Sequence, residues 1–287
     1  GGIWFLLQIF TGNLHIIQDF IEYQIRLFQT QDAGHGGFFL YHFVILLIGV
    51  FPASIFALPA LRKTTMDTYR PLSFALWMKI LFWVVLILFT LVKTKIVHYS
   101  SLGYFPLTFL ATQVIYQIQR DKLPFYGILR ALIIFIASIY TLITLLIPLI
   151  GKFADPAKLE EVIDDPFAIA NLQAEVYWSG LEALTGILFL TGLILIISLV
   201  RKQILRISGI FALSLLFTYS TILVFTPKIE AYSQRAAIEF YNTLNREDVY
   251  VTTLGFKSYA HLYYSKVQPY TDNSATDQQW LLEGDTD

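Results

Sequence analysis

Six apolar runs decide what this chain can fold into: about 39–61, 72–92, 102–118, 125–150, 177–200 and 204–225. The hydrocarbon core of a bilayer is about 30 Å thick, a distance that about 20 helical residues cross. Inside it, each backbone N–H and C=O must find a partner within the protein, which makes a long apolar run a helix. Residues 3–10 have the same character but are too short to span, and read as the tail of a seventh helix. Composition agrees: of 287 residues, 56% are hydrophobic and 14% charged, against about 25% charged in soluble domains. The expected fold class is an all-α polytopic membrane protein, with a transmembrane domain over 1–226. With no cysteine in the chain, disulfides, thiolate metal sites and thiol nucleophiles are excluded within it. There is no initiator Met and no secretory signal, and the chain is expected to be a piece of a longer protein.

The loops orient the spans. Arg62, Lys63 and Arg70 follow the first run, Arg120, Lys122 and Arg130 the third, and Arg201, Lys202 and Arg206 the fifth. The 151–176 loop carries Asp155, Glu160, Glu161, Asp164, Asp165 and Glu175 against only Lys152 and Lys158. Cytoplasmic loops hold the excess of Lys and Arg, so 11–38, 93–101, 151–176 and 227–287 are expected outside the cytoplasm. The expected localisation is an integral membrane protein, and outward-facing loops without cysteine are compatible with a bacterial inner (plasma) membrane.

Two stretches stand apart from the spans. Over 14–29, Ile17, Phe20, Ile21, Ile25 and Phe28 share one helical face, with Gln18, Asp19, Glu22, Arg26 and Gln29 opposite. That pattern predicts an amphipathic helix along the membrane–water boundary. After Pro227, a helical period over 229–244, a β-rich Val249–Leu254 and a helical 258–265 predict a small, incomplete extracytoplasmic α/β domain over 227–287.

The chemistry-bearing residues are few. Lys93, Lys95, His98 and Tyr99 gather where the second span ends, although basic residues are otherwise rare on the outward-facing segments near the bilayer. The plainer reading is an interfacial anchor of snorkelling lysines and a belt tyrosine. The functional reading is a grip on a lipid phosphate, whose charge an ammonium or imidazolium neutralises. His35, in the Gly-rich turn Asp32–Gly37, is a loop histidine or else a ligand for a divalent metal ion or a phosphate. His42, seven residues on, begins the next span. Lys79 and Glu182 lie within spans near their ends, where snorkelling accounts for them, and Glu182 is the better site candidate. Nucleotide loops, nucleophile elbows, zincin signatures and basic–aromatic patches for nucleic acid are all missing from the sequence.

Glu22–Phe28, then Asp32-Ala33-Gly34-His35-Gly36-Gly37-Phe38-Phe39 entering a span with Phe51-Pro52-Ala53-Ser54, resembles the second half of a polyprenyl-phosphate-sugar-dependent membrane glycosyltransferase. The type is that of the aminoarabinose lipid A transferases and the dolichyl-phosphate-mannose–protein mannosyltransferases. A Lys-Gly-Lys-Leu-Pro-x-Tyr stretch of that family reads Lys93-Thr94-Lys95-Ile96-Val97-His98-Tyr99 here, keeping both lysines and the tyrosine. The resemblance, over about 3–225, implies a GT-C fold and transfer of a sugar from a polyprenyl-phosphate donor to a lipid, protein or glycan acceptor at the outer face. It implies that Lys93, Lys95 and Tyr99 line the donor-phosphate cavity and that His35 contacts metal or substrate. His98 replaces a small residue and lies outside the analogy. The catalytic carboxylates are expected upstream of this chain. Two other classes stay open: a lipid-linked-sugar flippase or small-molecule transporter, and a membrane scaffold presenting the tail.

Overall fold

The structure, a computed structural model, describes residues 2–31, 36–62, 73–153, 166–244, 249–253, 258–266 and 277–283. Helices α1 (Gly2–Phe10), α2 (Leu14–Gln29), α3 (Tyr41–Gly49), α4 (Ala53–Arg62), α5 (Phe74–Leu91), α6 (Tyr104–Gln119) and α7 (Gly127–Phe153) come first. After them come α8 (Pro166–Leu172), α9 (Leu184–Leu199), α10 (Gln203–Ser233), α11 (Arg235–Thr243), α12 (Ala260–Ser265) and α13 (Gln278–Glu283). Among the described residues, four helical stretches are long and apolar enough to cross a membrane: Phe74–Leu91, Gly127–Phe153, Leu181–Leu199 and Gln203–Ser233. The chain is an integral membrane protein by that measure. It divides into two compact units, Gly1–Leu142 with Gly186–Phe217, and Ile143–Thr185 with Thr218–Asp287.

The core of the first unit is built where α4, α5, α6 and the parts of α7, α9 and α10 that belong to it present their apolar faces. Ile55, Phe56, Leu110, Ile133, Leu193 and Ile210 are fully enclosed there. Phe56 stacks between Phe125 and Phe211 at 5.7 and 5.9 Å, and Phe189 lies on Phe217 at 4.2 Å. Such ring pairs add about 0.5–1.5 kcal/mol to their buried area. Outward, Trp77, Val84, Ile87 and Leu91 of α5 stand exposed, as side chains facing lipid do.

The expected span 39–61 is two short helices, because Pro52 has no N–H to donate and restricts the residue before it. The break frees carbonyls that bilayer water cannot reach. The chain meets them itself: Ser54 Oγ donates to the Leu47 carbonyl and Tyr140 Oη to that of Ile48, each at 2.6 Å. The expected span 102–118 is α6, of 16 residues, or about 24 Å at 1.5 Å per residue. Thr141 Oγ1 bonds the Gly186 carbonyl at 2.9 Å, tying α7 to α9 with a polar contact of the kind that joins helices in lipid.

The sixth expected span was to end at Phe225, yet α10 continues through Pro227 to Ser233. Lys228 and Tyr232 on those extra turns are fastened to the 177–182 segment, contacts that hold the helix past the proline. The expected α/β tail is corrected: among the described residues there is no strand. Residues 250–253 do alternate as a strand would, with Val251 and Thr253 buried and Tyr250 and Thr252 exposed, but Val249 before them is exposed as well. Propensity alone makes no strand without a neighbouring edge to pair with.

Candidate functional site

The polar stretch after α5 is fixed by helix ends. An α-helix leaves its last carbonyls without intrahelical donors. At the end of α2 those of Leu27, Phe28 and Thr30 are met by Thr94 N–H (3.3 Å), Lys93 N–H (3.2 Å) and Thr94 Oγ1 (2.8 Å). At the end of α5, Lys95 Nζ donates to the carbonyls of Phe89 (2.9 Å) and Thr90 (2.7 Å). One heptapeptide thus caps two helices, and the Val97–Gly103 3₁₀ turn then leads it into α6. Thr94, fully buried, is the residue that sequence reasoning passed over. Its sole signal was a small hydroxyl between two lysines.

The predicted site residues fall into two groups. Lys93 and His98 are exposed. Lys95 is buried, at 6% exposure, and burial pushes its ammonium below the usual lysine range. Tyr99 is half-buried, its ring 5.4 Å from that of Phe89 and 5.2 Å from that of His98. Phe89 is the hub of this end. Its carbonyl takes Lys95, and its ring lies between Tyr99 and His42, the latter at 5.9 Å. His42, in the first turn of α3, is 0% exposed and has Tyr41 edge-on at 5.1 Å. Neither of its ring nitrogens has a hydrogen-bond partner. The loop before α3 seats itself on Lys95: a Cβ at Gly37 would lie 3.0 Å from Lys95 Cγ. His35 lies outside the described residues. Among the described residues, no group of three or more His, Asp or Glu is placed to hold a metal ion, so no chemistry is assigned to one.

Glu182 belongs to the second unit and to a different arrangement. Its carboxylate pairs with Lys228 at 3.0 Å and accepts the backbone N–H groups of Ser179 (3.2 Å) and Gly180 (2.7 Å). Lys228 also donates to the Tyr177 carbonyl (2.6 Å) and sits over the Trp178 ring at 5.0 Å. Trp178 Nε1 donates in turn to the Tyr232 hydroxyl at 3.0 Å. Each of these polar atoms meets another of the same cluster. The cluster is a clamp holding the 177–182 turn to the last turns of α10. Lys79, half-buried on α5, lines an apolar groove with Leu76, Ile80, Trp83 and Leu88.

Chemically, the end of α5 offers two solvent-facing cations (Lys93, and His98 when protonated), a buried ammonium with two of its three protons committed, and a buried imidazole with nothing bonded to it. That set suits an anion carrying several oxygen acceptors. No family model matches the chain, nor does any curated protein or solved structure.

Proposed function

We propose that this chain is part of an integral membrane glycosyltransferase of GT-C type, which moves a sugar from a polyprenyl-phosphate donor to a lipid, protein or glycan acceptor at the outer face of a bacterial inner membrane. The observation that supports it is the grouping of Lys93, Lys95, His98 and Tyr99 in the few residues that follow the end of an apolar helix. A phosphate headgroup sits at that depth when its chain lies in lipid. In an in-line displacement at the anomeric carbon, negative charge grows on the departing lipid phosphate, and fixed cations stabilise it. Carboxylates upstream of this chain would activate the acceptor hydroxyl. The test is transfer of label from defined polyprenyl-phosphate sugars by the full-length protein in proteoliposomes. Label arriving on an acceptor supports the reading, and none with any of the common donors removes it.

A second reading, a lipid-linked-sugar flippase, draws on the break between α3 and α4. Discontinuous helices whose unwound backbone carbonyls are left open to coordinate ions build substrate sites in transporters. Here both freed carbonyls are already bonded, by Ser54 and Tyr140, which favours a fixed joint over a binding site. Movement of a labelled donor across the bilayer with no transfer would select the flippase.

A further inference from the structure

We propose that the imidazole of His42 is a ligand for the phosphate of a polyprenyl phosphate, which it binds together with Lys95. This rests on the lipid-phosphate reading of the end of α5, and it adds a residue to which neither the sequence nor the family resemblance gives a role there.

The argument starts from cost. A buried polar group without a partner loses about 1–3 kcal/mol relative to one that is bonded. At this end of the first unit the other buried polar side chains are served: Thr90 by the Leu86 carbonyl, Thr94 by Thr30, Lys95 by Phe89 and Thr90, and Ser100 by Val97. His42 alone among them has two bare ring nitrogens at 0% exposure. Its neighbours Tyr41 and Phe89 would accept a phenyl ring at no such cost. An imidazole kept where a hydrocarbon ring fits points to a partner from outside the chain.

The chemistry of the surroundings selects the partner. Lys95 and His42 share Phe89 as a neighbour, the ammonium on its carbonyl at 2.9 Å and the imidazole 5.9 Å from its ring, and an ammonium so placed disfavours a second cation. A neutral imidazole offers one donor, and the Lys95 ammonium has one N–H beyond the two on carbonyls. Two donors grouped around Phe89, one of them an ammonium, match the oxygens of a phosphoryl group. The site lies at the end of α5, whose outward face from Ile80 to Leu91 is apolar, which favours a phosphate with an isoprenoid chain over a free ion. Gly37 closes the site over Lys95, and a Cβ there would also come within 3.2 Å of Tyr41 Cδ2.

The experiment uses the full-length protein in nanodiscs, titrated with a polyprenyl phosphate, the matching polyprenol and inorganic phosphate, for wild type and H42F. Wild type is expected to bind the polyprenyl phosphate and not the polyprenol. H42F is expected to bind it about tenfold or more weakly, a loss of about 1.4 kcal/mol. Its melting temperature should be equal or higher, because phenylalanine deletes two orphaned nitrogens and still fills the ring cage. H42F binding with wild-type affinity would overturn the proposal, since the imidazole then only packs or holds a water. Binding of inorganic phosphate with none of the polyprenyl phosphate would overturn the lipid-linked source. The wild-type protein supplies a readout that needs no variant: the His42 ring nitrogens should shift in ¹⁵N NMR when the polyprenyl phosphate is added, and an unmoved signal sinks the idea. Binding through His42 in a protein that transfers no sugar supports this site while removing the transferase reading.

Discussion

Lys93 and Lys95 are two residues apart and do different physical work. Lys93 is exposed and its side chain is free to meet a headgroup, while Lys95 is buried and spends two protons on the open carbonyls of α5. Lys93→Ala should therefore weaken turnover with a polyprenyl-phosphate donor, with stability within about 0.5 kcal/mol of wild type. Lys95→Ala should lower both, because hydrogen bonds from a charged donor contribute about 1.5–3 kcal/mol. Paired melting and transfer assays check this; equal stability of the two variants would contradict the capping role. The spacing of the lysines and the tyrosine was legible in the sequence. Their split into exposed and buried was not, because it depends on where the ends of α2 and α5 come to lie. A second residue-level consequence concerns His261, buried on α12 with its ring 6.3 Å from that of Tyr241. Burial lowers its imidazole below the usual range, against a hydrogen bond with the Ser258 backbone that pulls the other way. A base whose folded pKa is depressed stabilises the fold fully above its unfolded value of about 6.5 and loses that contribution as pH falls through the folded one. Amide exchange in Ala260–Ser265, corrected for intrinsic rate, should thus quicken below about pH 6.5. His261→Leu should flatten that dependence, and a profile unchanged by the substitution would rule the histidine out as its cause.

At the scale of elements, apolar runs predicted helices well and their limits less well. Residues 14–29 and the core of α5 read correctly from periodicity and hydropathy. The run 39–61 and the end of α10 did not, since a proline ends a helix or is absorbed according to what holds the next turn. Pro52 is followed by a restart at Ala53, whereas Pro227 is followed by Lys228 and Tyr232, both clamped to the 177–182 turn. That clamp is predicted to keep the last turns of α10 helical. Removing one partner of a fully buried ion pair costs about 3–5 kcal/mol; Glu182 is buried but Lys228 only partly so, and Lys228→Met should destabilise the second unit by less than that. Glu182→Gln combined with Lys228→Met should cost less than the sum of the two. Gly151→Ala attacks the same clamp sterically, because its Cβ would overlap the rigid Trp178 indole. Thermal melts followed by tryptophan fluorescence report all of these variants, and an additive double variant would show that the pair does not act as a unit.

For the whole molecule, sequence foretold membrane insertion with little ambiguity, since no soluble core needs so many long apolar runs. What hydropathy cannot convey is which of them fold as single continuous helices. Four do, and the others depend on a proline and on a helix only 16 residues long. The placement of basic residues yields one more global expectation, and the proposed chemistry depends on it. If the loops with Arg120, Lys122, Arg201 and Lys202 are cytoplasmic, the end of α5 with Lys93–Tyr99 faces the opposite side. The chain has no cysteine, so a single introduced thiol is the only one this segment offers to a label. Val97→Cys and Leu102→Cys, both at exposed positions, should react with a membrane-impermeant maleimide added outside intact cells. Lys122→Cys and Arg201→Cys should react only after permeabilisation. The reverse pattern would place the candidate phosphate site in the cytoplasm, on the wrong side for an outward-facing transferase. The transferase proposal would then fall, while the hydrogen bonds that cap α2 and α5 would be untouched, because they depend only on local geometry.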